Sequence, residues 1–338
     1  MLMVLNLHSF SGYSHGNGIW QALDFFREST SICAVDCFLL ISGYFGIKWK
    51  FKSLFNLVFQ LYFYSIGIYL VVVVCGIVDW NIKDFIMRFA CLFTNSWKFA
   101  ITYVLLWFCS PPFNTLSEKL DASDLFLYII VFFLVINFIC VPQHAFFTYA
   151  LVYLIGRLLR KMNVENSRFP AGKAYLITTF FIFIFTYFVV FRTLHITSAV
   201  KVTTWPIGIL AFDYAAPLVI LQAVFLFMFF ARLSFQSKFI NWCAASCFAI
   251  FLIHMHPTIK NIGYYNFTRS FYDFPVFKHI IFLVGLIIAV FFGSILIDKL
   301  RIFISNYCYS FIVIIASYIS RKWLQLDLYL PSISRKME

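Results

Sequence analysis

Apolar runs separated by short polar stretches are the dominant pattern along the chain. Crossing a bilayer as a helix takes about 20 apolar residues. Residues 1–10 are apolar and end in Leu7-His8-Ser9-Phe10. They are too short to cross alone, so they read as a half-helix or as the end of a span that begins upstream. Residues 11–28 predict a polar loop. A span is predicted over 29–47, followed at once by Lys48, Lys50 and Lys52. The next covers 54–78, and residues 79–96 predict a loop with a short amphipathic helix. The span at 97–113 is expected to stop at Pro111-Pro112, because proline removes a helix donor. Spans follow at 124–141, 145–159 (ending in Arg157, Arg160 and Lys161), 174–191, 215–231, 239–256 and 277–298. Residues 193–214 are mixed and loop-like. Residues 302–320 are apolar but hold Asn306 and several Ser and Tyr. They read as an amphipathic or interfacial helix, with an eleventh span as the alternative. There is no internal repeat, low-complexity tract or Gly/Ser linker. The fold class expected is all-α, a polytopic transmembrane bundle of about ten spans in one domain over residues 1–338.

Composition strengthens this reading. The chain is 62% hydrophobic and 12% charged, with mean hydropathy +0.88, whereas soluble domains carry about 25% charged residues. The 46 Phe suit lipid-facing helices, with Trp and Tyr at their ends. The formal charge of +12 raises nucleic acid as a partner, but in a membrane protein basic residues set topology. With the N-terminus in the cytoplasm and the first segment counted as a span, 17 of the 26 basic residues fall on the inner side. The expected partner is therefore the lipid bilayer, with no nucleic acid. Cys33/Cys37 and Cys243/Cys247 are spaced four apart, but there is no Cys-x-x-Cys. They read as small membrane-core residues, and no metal constellation stands out.

Candidate chemistry begins with Asp36, a carboxylate inside an apolar run. A carboxylate in a lipid-spanning helix costs roughly 3 kcal/mol or more, so it usually faces a polar interior and has a function. In the orientation above, the first span runs outward to His8. The second meets Asp36 about two turns in, and the ninth runs outward to His254. All three land in the outer half of the membrane, which predicts one polar pocket. His254 and His256 read alternatively as plain interfacial residues. Ser42-Gly43 lets another backbone come close. Gly12-Tyr13-Ser14-His15-Gly16 fits G-x-S-x-G, but that motif makes a nucleophile elbow only between a strand and a helix. Here it follows a membrane segment, so Ser14 is not read as a nucleophile.

Seven stretches, in order, carry a resemblance: MLMVLNLH at 1–8, VDCFLLISGYF at 35–45, WKFAITYVLLWFCSPPFN at 97–114, ALVYLIGRLLRK at 150–161, APLVILQAVFLFMFF at 216–230, SCFAIFLIHMHP at 246–257 and SILIDKLR at 294–301. Each alone is weak, and together they are specific. The chain resembles the acyltransferase family 3 membrane proteins, particularly the O-acetyltransferases of bacterial surface polysaccharides. The resemblance implies about ten spans, a place in the bacterial inner membrane, an acyl-coenzyme A donor such as acetyl-CoA, and a hydroxyl of a cell-surface or lipid-linked carbohydrate as acceptor. It also implies that the family's first-helix histidine falls on His8, its acidic residue on Asp36 and its ninth-helix histidine on His254. There is one departure. The family's first helix carries an Arg about ten residues before the His, and here that position would precede Met1. The expectation is a start further upstream or a shortened chain, and a short form lacks a residue that handles the donor.

Acyl transfer to a hydroxyl needs few parts. A base must take the hydroxyl proton, and imidazole, with a pKa about 6.5, suits that task; His8 is the candidate. Asp36 is the candidate orienter of that ring, as in a Ser-His-Asp triad. The oxyanion needs aimed donors, for which Ser42, the Gly43 backbone and His254 stand open. Trp97 and Asn114 join Ser42 and Gly43 as candidate substrate-binding residues. Direct transfer in a ternary complex is favoured. Arg157, Arg160 and Lys161, with Lys48, Lys50 and Lys52, are candidates for holding the coenzyme's phosphates, or serve as topology signals alone. A pocket in the outer half requires the pantetheine arm to thread through the bundle. The rival functions are a carrier or flippase of lipid-linked sugars and a polysaccharide polymerase. The outer loops are short, which counts against a polymerase.

Overall fold

The computed structural model describes residues 1–9, 18–94, 97–139, 145–188 and 213–334. Every regular element among the described residues is helical. In chain order the helices are α1 (Leu2–His8), α2 (Gly18–Ser31), α3 (Ala34–Phe45), α4 (Phe51–Val74), α5 (Ile82–Phe89), α6 (Lys98–Lys119), α7 (Ala122–Leu134), α8 (Ala145–Lys161), α9 (Ala171–Ile184), α10 (Pro217–Ala231), α11 (Lys238–Ala244), α12 (Cys247–His254), α13 (Tyr264–Ser270) and α14 (Val276–Ser334). Among the described residues, four helical stretches are long and apolar enough to cross a membrane: Phe51–Val74, Lys98–Lys119, Ala171–Phe188 and Val276–Ile315. Ala122–Phe138 and Pro217–Ala231 are apolar but shorter. Large apolar side chains point away from the bundle, among them Phe126, Leu127 and Val131 on α7 and Leu176, Phe180 and Phe181 on α9. An exposed apolar surface of this extent is what lipid, rather than water, covers.

Four expectations about the elements are corrected. Residues 18–28 are not loop but most of α2. Their polar side chains are bonded inward: Arg27 pairs with Asp24 at 3.2 Å, and the Tyr272 hydroxyl donates to both Asp24 oxygens at 2.6 and 2.7 Å. The span predicted at 29–47 is broken between Ser31 and Ala34. The Ser29 hydroxyl bonds back to the Phe25 carbonyl at 2.7 Å, and Gln222 of α10 donates to the Ser29 carbonyl at 2.7 Å. These side chains answer groups near the break. The prolines do not end α6, which runs on to Lys119. Pro111 cannot donate to the Trp107 carbonyl, but the Ser110 hydroxyl does so at 2.8 Å. Neighbouring hydroxyls are the usual means by which a membrane helix absorbs proline. Finally, residues 302–320 form no separate helix. They continue α14, whose 59 residues at 1.5 Å each span about 88 Å, far more than a bilayer core of about 30 Å.

The central packing is α3 on α8, with α6, α9 and α10 around them. Gly43 and Gly156 make it possible. A Cβ on Gly43 would lie 2.1 Å from the Tyr153 carbonyl oxygen, and one on Gly156 would lie 2.5 Å from the Leu40 carbonyl oxygen. Small residues of this kind let membrane helices approach backbone to backbone. The crossing is tied off at one end of the bundle. Asn114 of α6 donates to the Ile47 carbonyl at 3.1 Å and accepts from the Tyr153 hydroxyl at 2.7 Å.

Gly43→Ala is therefore expected to separate the two helices and destabilise the protein by about 1–3 kcal/mol, the usual range for overpacking. Gly67→Ala, where a Cβ meets nothing within 4 Å, leaves stability unchanged or raised. Thermal midpoints of the two variants in detergent, followed by size-exclusion profile, check this. Equal midpoints would contradict the crossing.

Candidate active site

α1 is short, yet its end is held from several sides. Tyr264 donates its hydroxyl to the Leu5 carbonyl at 2.7 Å. Asn6 donates to the Ser31 hydroxyl at 2.7 Å and accepts from Arg27 Nε at 3.3 Å. Arg27 also donates to the Ser9 hydroxyl. These contacts set the position of His8, the last residue of α1. His254, the last residue of α12, is buried opposite it. The next residue is anchored by Trp97 Nε1, which donates to the Met255 carbonyl at 3.2 Å.

The two rings meet. His8 Nδ1 lies 2.8 Å from His254 Nε2, and the ring centroids are 5.1 Å apart. His254 Nδ1 lies 2.5 Å from the Ile250 carbonyl oxygen. A carbonyl only accepts, so His254 Nδ1 carries the proton, and in the neutral ring its Nε2 is then an acceptor. His8 must donate to it from Nδ1. That leaves His8 Nε2 with a free lone pair, held in one tautomer by a chain of two hydrogen bonds.

His8 lines a cavity of about 440 Å³ whose wall also includes Trp97, Lys98, Tyr149, Asp213, Tyr214 and Phe251. These come from the starts of α6 and α8, the approach to α10 and the end of α12. Asp213 was not among the residues expected from the sequence. It accepts from the Ala215 amide at 2.8 Å, and burial pushes its carboxyl up while that amide opposes the shift. Its only sequence signal is an acidic residue shortly ahead of a helix opened by Pro217.

Asp36 does not take the place expected of it. It is fully buried, yet neither carboxyl oxygen has a hydrogen-bond partner among the described residues. The ring nitrogen it was expected to orient is bonded to His254 instead. The reason is helical register. Asp36, Leu40 and Gly43 share the face of α3 that packs on α8, whereas Val35 and Phe38 share the face that lines the cavity.

The other expected residues separate clearly. Trp97 is in the cavity wall. Ser42 bonds the Phe38 carbonyl at 3.0 Å and the Tyr103 hydroxyl at 3.2 Å. Gly43 lies in the helix crossing and Asn114 in the tie at its end, so both are packing residues in this structure. Arg157 donates to the Ser117 hydroxyl at 2.8 Å and to Glu118 at 3.4 Å. Arg160 reaches the Tyr44 hydroxyl at 3.2 Å, and Lys161 bonds the Leu120 carbonyl. Tyr44 in turn donates to Glu165 at 2.5 Å, which holds that carboxyl below its ordinary range. The Arg157 cluster thus links helix ends and stands away from the histidines. His256 is buried and structural, with Nε2 donating to the Ser65 carbonyl at 3.1 Å and Nδ1 accepting from the Thr258 amide at 3.3 Å. Ser14 lies outside the described residues. Among the described residues, no group of three or more His, Cys, Asp or Glu side chains is placed to hold a metal ion.

A helical bundle dressed for lipid, with a histidine in a cavity wall joined to a second, buried histidine from a distant helix, defines a multi-pass membrane protein with a base-bearing site. The family model described as an acyltransferase domain matches residues 1–299 of the 338, and the chain belongs to that acyltransferase family, family 3. No curated protein and no solved structure matches the chain.

The tautomer is open to direct measurement. Nitrogen-15 histidine NMR of the detergent-solubilised protein, assigned by difference with His8→Asn, is expected to show neutral His8 protonated at Nδ1. Protonation at Nε2 instead would contradict the chain of bonds from Ile250.

Proposed function

We propose that the protein is a membrane-bound O-acyltransferase that moves an acetyl group from acetyl-CoA to a hydroxyl of a cell-surface or lipid-linked carbohydrate. In this reading the bundle crosses the bacterial inner membrane about ten times, with its N-terminus in the cytoplasm. The observation that carries the reading is the His8–His254 pair within a chain of this family. It leaves one imidazole nitrogen, His8 Nε2, as an unprotonated base in the cavity wall.

The step follows from those parts. The acceptor oxygen attacks the thioester carbonyl as His8 Nε2 takes the hydroxyl proton, so a C–O bond forms. His254 accepts a hydrogen bond from His8 Nδ1 throughout and stabilises the imidazolium, the role first expected of Asp36. Tyr149, Tyr214 and Lys98 carry donors in the same wall for the developing oxyanion. When the tetrahedral centre collapses, the C–S bond breaks. His8 returns its proton to the departing sulfur, giving an ester and coenzyme A thiol. The aromatic faces of Trp97, Tyr149 and Tyr214, each with a polar tip, suit a sugar ring.

The test compares the O-acetyl content of purified surface polysaccharide, by NMR, in a deletion strain complemented with wild type, His8→Ala or His254→Ala. Wild type is expected to restore acetylation. His8→Ala is expected to lower transfer by about 10²–10⁴-fold, the range for losing a general base, with acetyl-CoA binding retained. His254→Ala is expected to lower it less. Unchanged acetylation on deletion favours the carrier reading and overturns this one.

A further inference from the structure

The cavity that His8 lines also presents a carboxyl group that the transfer step does not use. Asp213 stands shortly ahead of Pro217, the first residue of α10. Its Oδ1 accepts from the Ala215 amide at 2.8 Å, and its backbone carbonyl accepts from the Ala216 amide at 2.9 Å. These two bonds close a tight turn into α10. Oδ2 has no hydrogen-bond partner among the described residues, and unlike the two Asp36 oxygens it is not sealed from the cavity.

The turn explains one oxygen of Asp213 and leaves the other without a structural task. An asparagine closes the same kind of turn, because its side-chain oxygen accepts the same amide. A charged, half-buried carboxylate costs free energy that a turn alone does not require. What remains is an acceptor with an open lone pair, in the same wall as the candidate base.

The surroundings narrow the occupant. α1, which ends in His8, and α10, which follows Asp213, both pack on α3. α3 gives Ala34, Val35 and Phe38 to the same wall. The volume of about 440 Å³ is near the lower end of small-molecule sites, about 300–1,000 Å³. It takes one ring and the group transferred to it, not a length of polymer. Neither Asp213 Oδ2 nor His8 Nε2 can donate, so an occupant that meets both must bring two donors. A sugar ring does so through two of its hydroxyls, and its C–H faces lie well on the aromatic rings of Trp97, Tyr149 and Tyr214.

We propose that Asp213 binds the acceptor, taking a hydrogen bond from a second hydroxyl of the sugar ring whose first hydroxyl faces His8. The inference rests on the acyltransferase reading given above and adds to it the group that orients the acceptor. The substrate class is then a ring with at least two free hydroxyls. No bond is made or broken at Asp213. Because a sugar ring is stiff, fixing one hydroxyl decides which other hydroxyl lies against Nε2. Asp213 therefore sets the position that is acylated as well as the affinity.

The experiment uses the full chain in lipid nanodiscs. Acetyl-CoA is the donor, and the acceptor is the host's surface polysaccharide stripped of its esters by mild alkali. Asp213→Asn keeps an oxygen for the Ala215 amide and removes the charge. It is expected to raise KM for the polysaccharide by about ten- to a hundredfold, the value of a hydrogen bond to a charged group. The loss falls in that KM and not in KM for acetyl-CoA. NMR of the product is expected to show the ester at one ring position for wild type and at more than one for the variant. Asp213→Glu restores a carboxylate and is expected to regain part of the affinity. Asp213→Ser also keeps an oxygen for the turn and carries the same expectations as Asp213→Asn should that variant not fold. A wild-type KM for the polysaccharide with an unchanged ester position would overturn this inference and leave the acyltransferase reading intact. So would a rise in KM for acetyl-CoA alone, which would place Asp213 against the donor, or a fall confined to kcat. No transfer by the wild type would overturn the acyltransferase reading, and this inference with it.

Discussion

A polar group inside a lipid-embedded bundle is costly unless another protein group answers it, since the bilayer core offers no water to do so. Most of this structure can be read as answers to that demand. Ser110 covers the carbonyl that Pro111 leaves open. Asp298 collects an arginine, a tyrosine and a glutamine. Asp24 and Arg27 turn what would be a polar loop into a helix packed against α1. The same demand shapes the site. His254 satisfies one nitrogen on its own helix and the other on His8, and this leaves His8 with its basic nitrogen toward the cavity. The candidate base is thus prepared by backbone geometry several bonds away.

The second organising feature is the crossing of α3 and α8 at Gly43 and Gly156. Because the backbones touch there, α3 sits at the middle of the bundle and shows a different face to each neighbour. One face, with Asp36, Leu40 and Gly43, is spent on α8. The other, with Val35, Phe38 and Ser42, borders the cavity and the ring of Tyr103. A single helix therefore supplies both a backbone-to-backbone helix crossing and a ring, Phe38, in the cavity wall.

Asp36 shows the limit of arguing from the rarity of a charge. A carboxyl group within an apolar run signals something, and its burial is confirmed by the fold. Its register, one residue round from Val35, turns it away from the histidines. Asp213, which does reach the cavity wall, lies in a stretch whose pattern is mixed and gives little reason to single it out.

The membrane class of the protein was decided by sequence alone, because the excess of apolar residues leaves no aqueous fold open to it. His8 and His254 were also legible as candidates, since each stands near the end of an apolar run. The close approach at Gly43 was legible for the same local reason, the absence of a side chain. Helix breaks and continuations were not. Whether Pro111 ends a helix depends on Ser110, whether residues 18–28 fold depends on Asp24 meeting Tyr272, and α14 runs on where the polarity of its sequence suggests a stop. Which partner each polar group finds was likewise decided only in three dimensions. His254 rather than Asp36 holds His8, and Arg157 joins helix ends instead of standing free. Periodicity reports which face of a helix is apolar. Only the packing of one helix on another decides what that face meets.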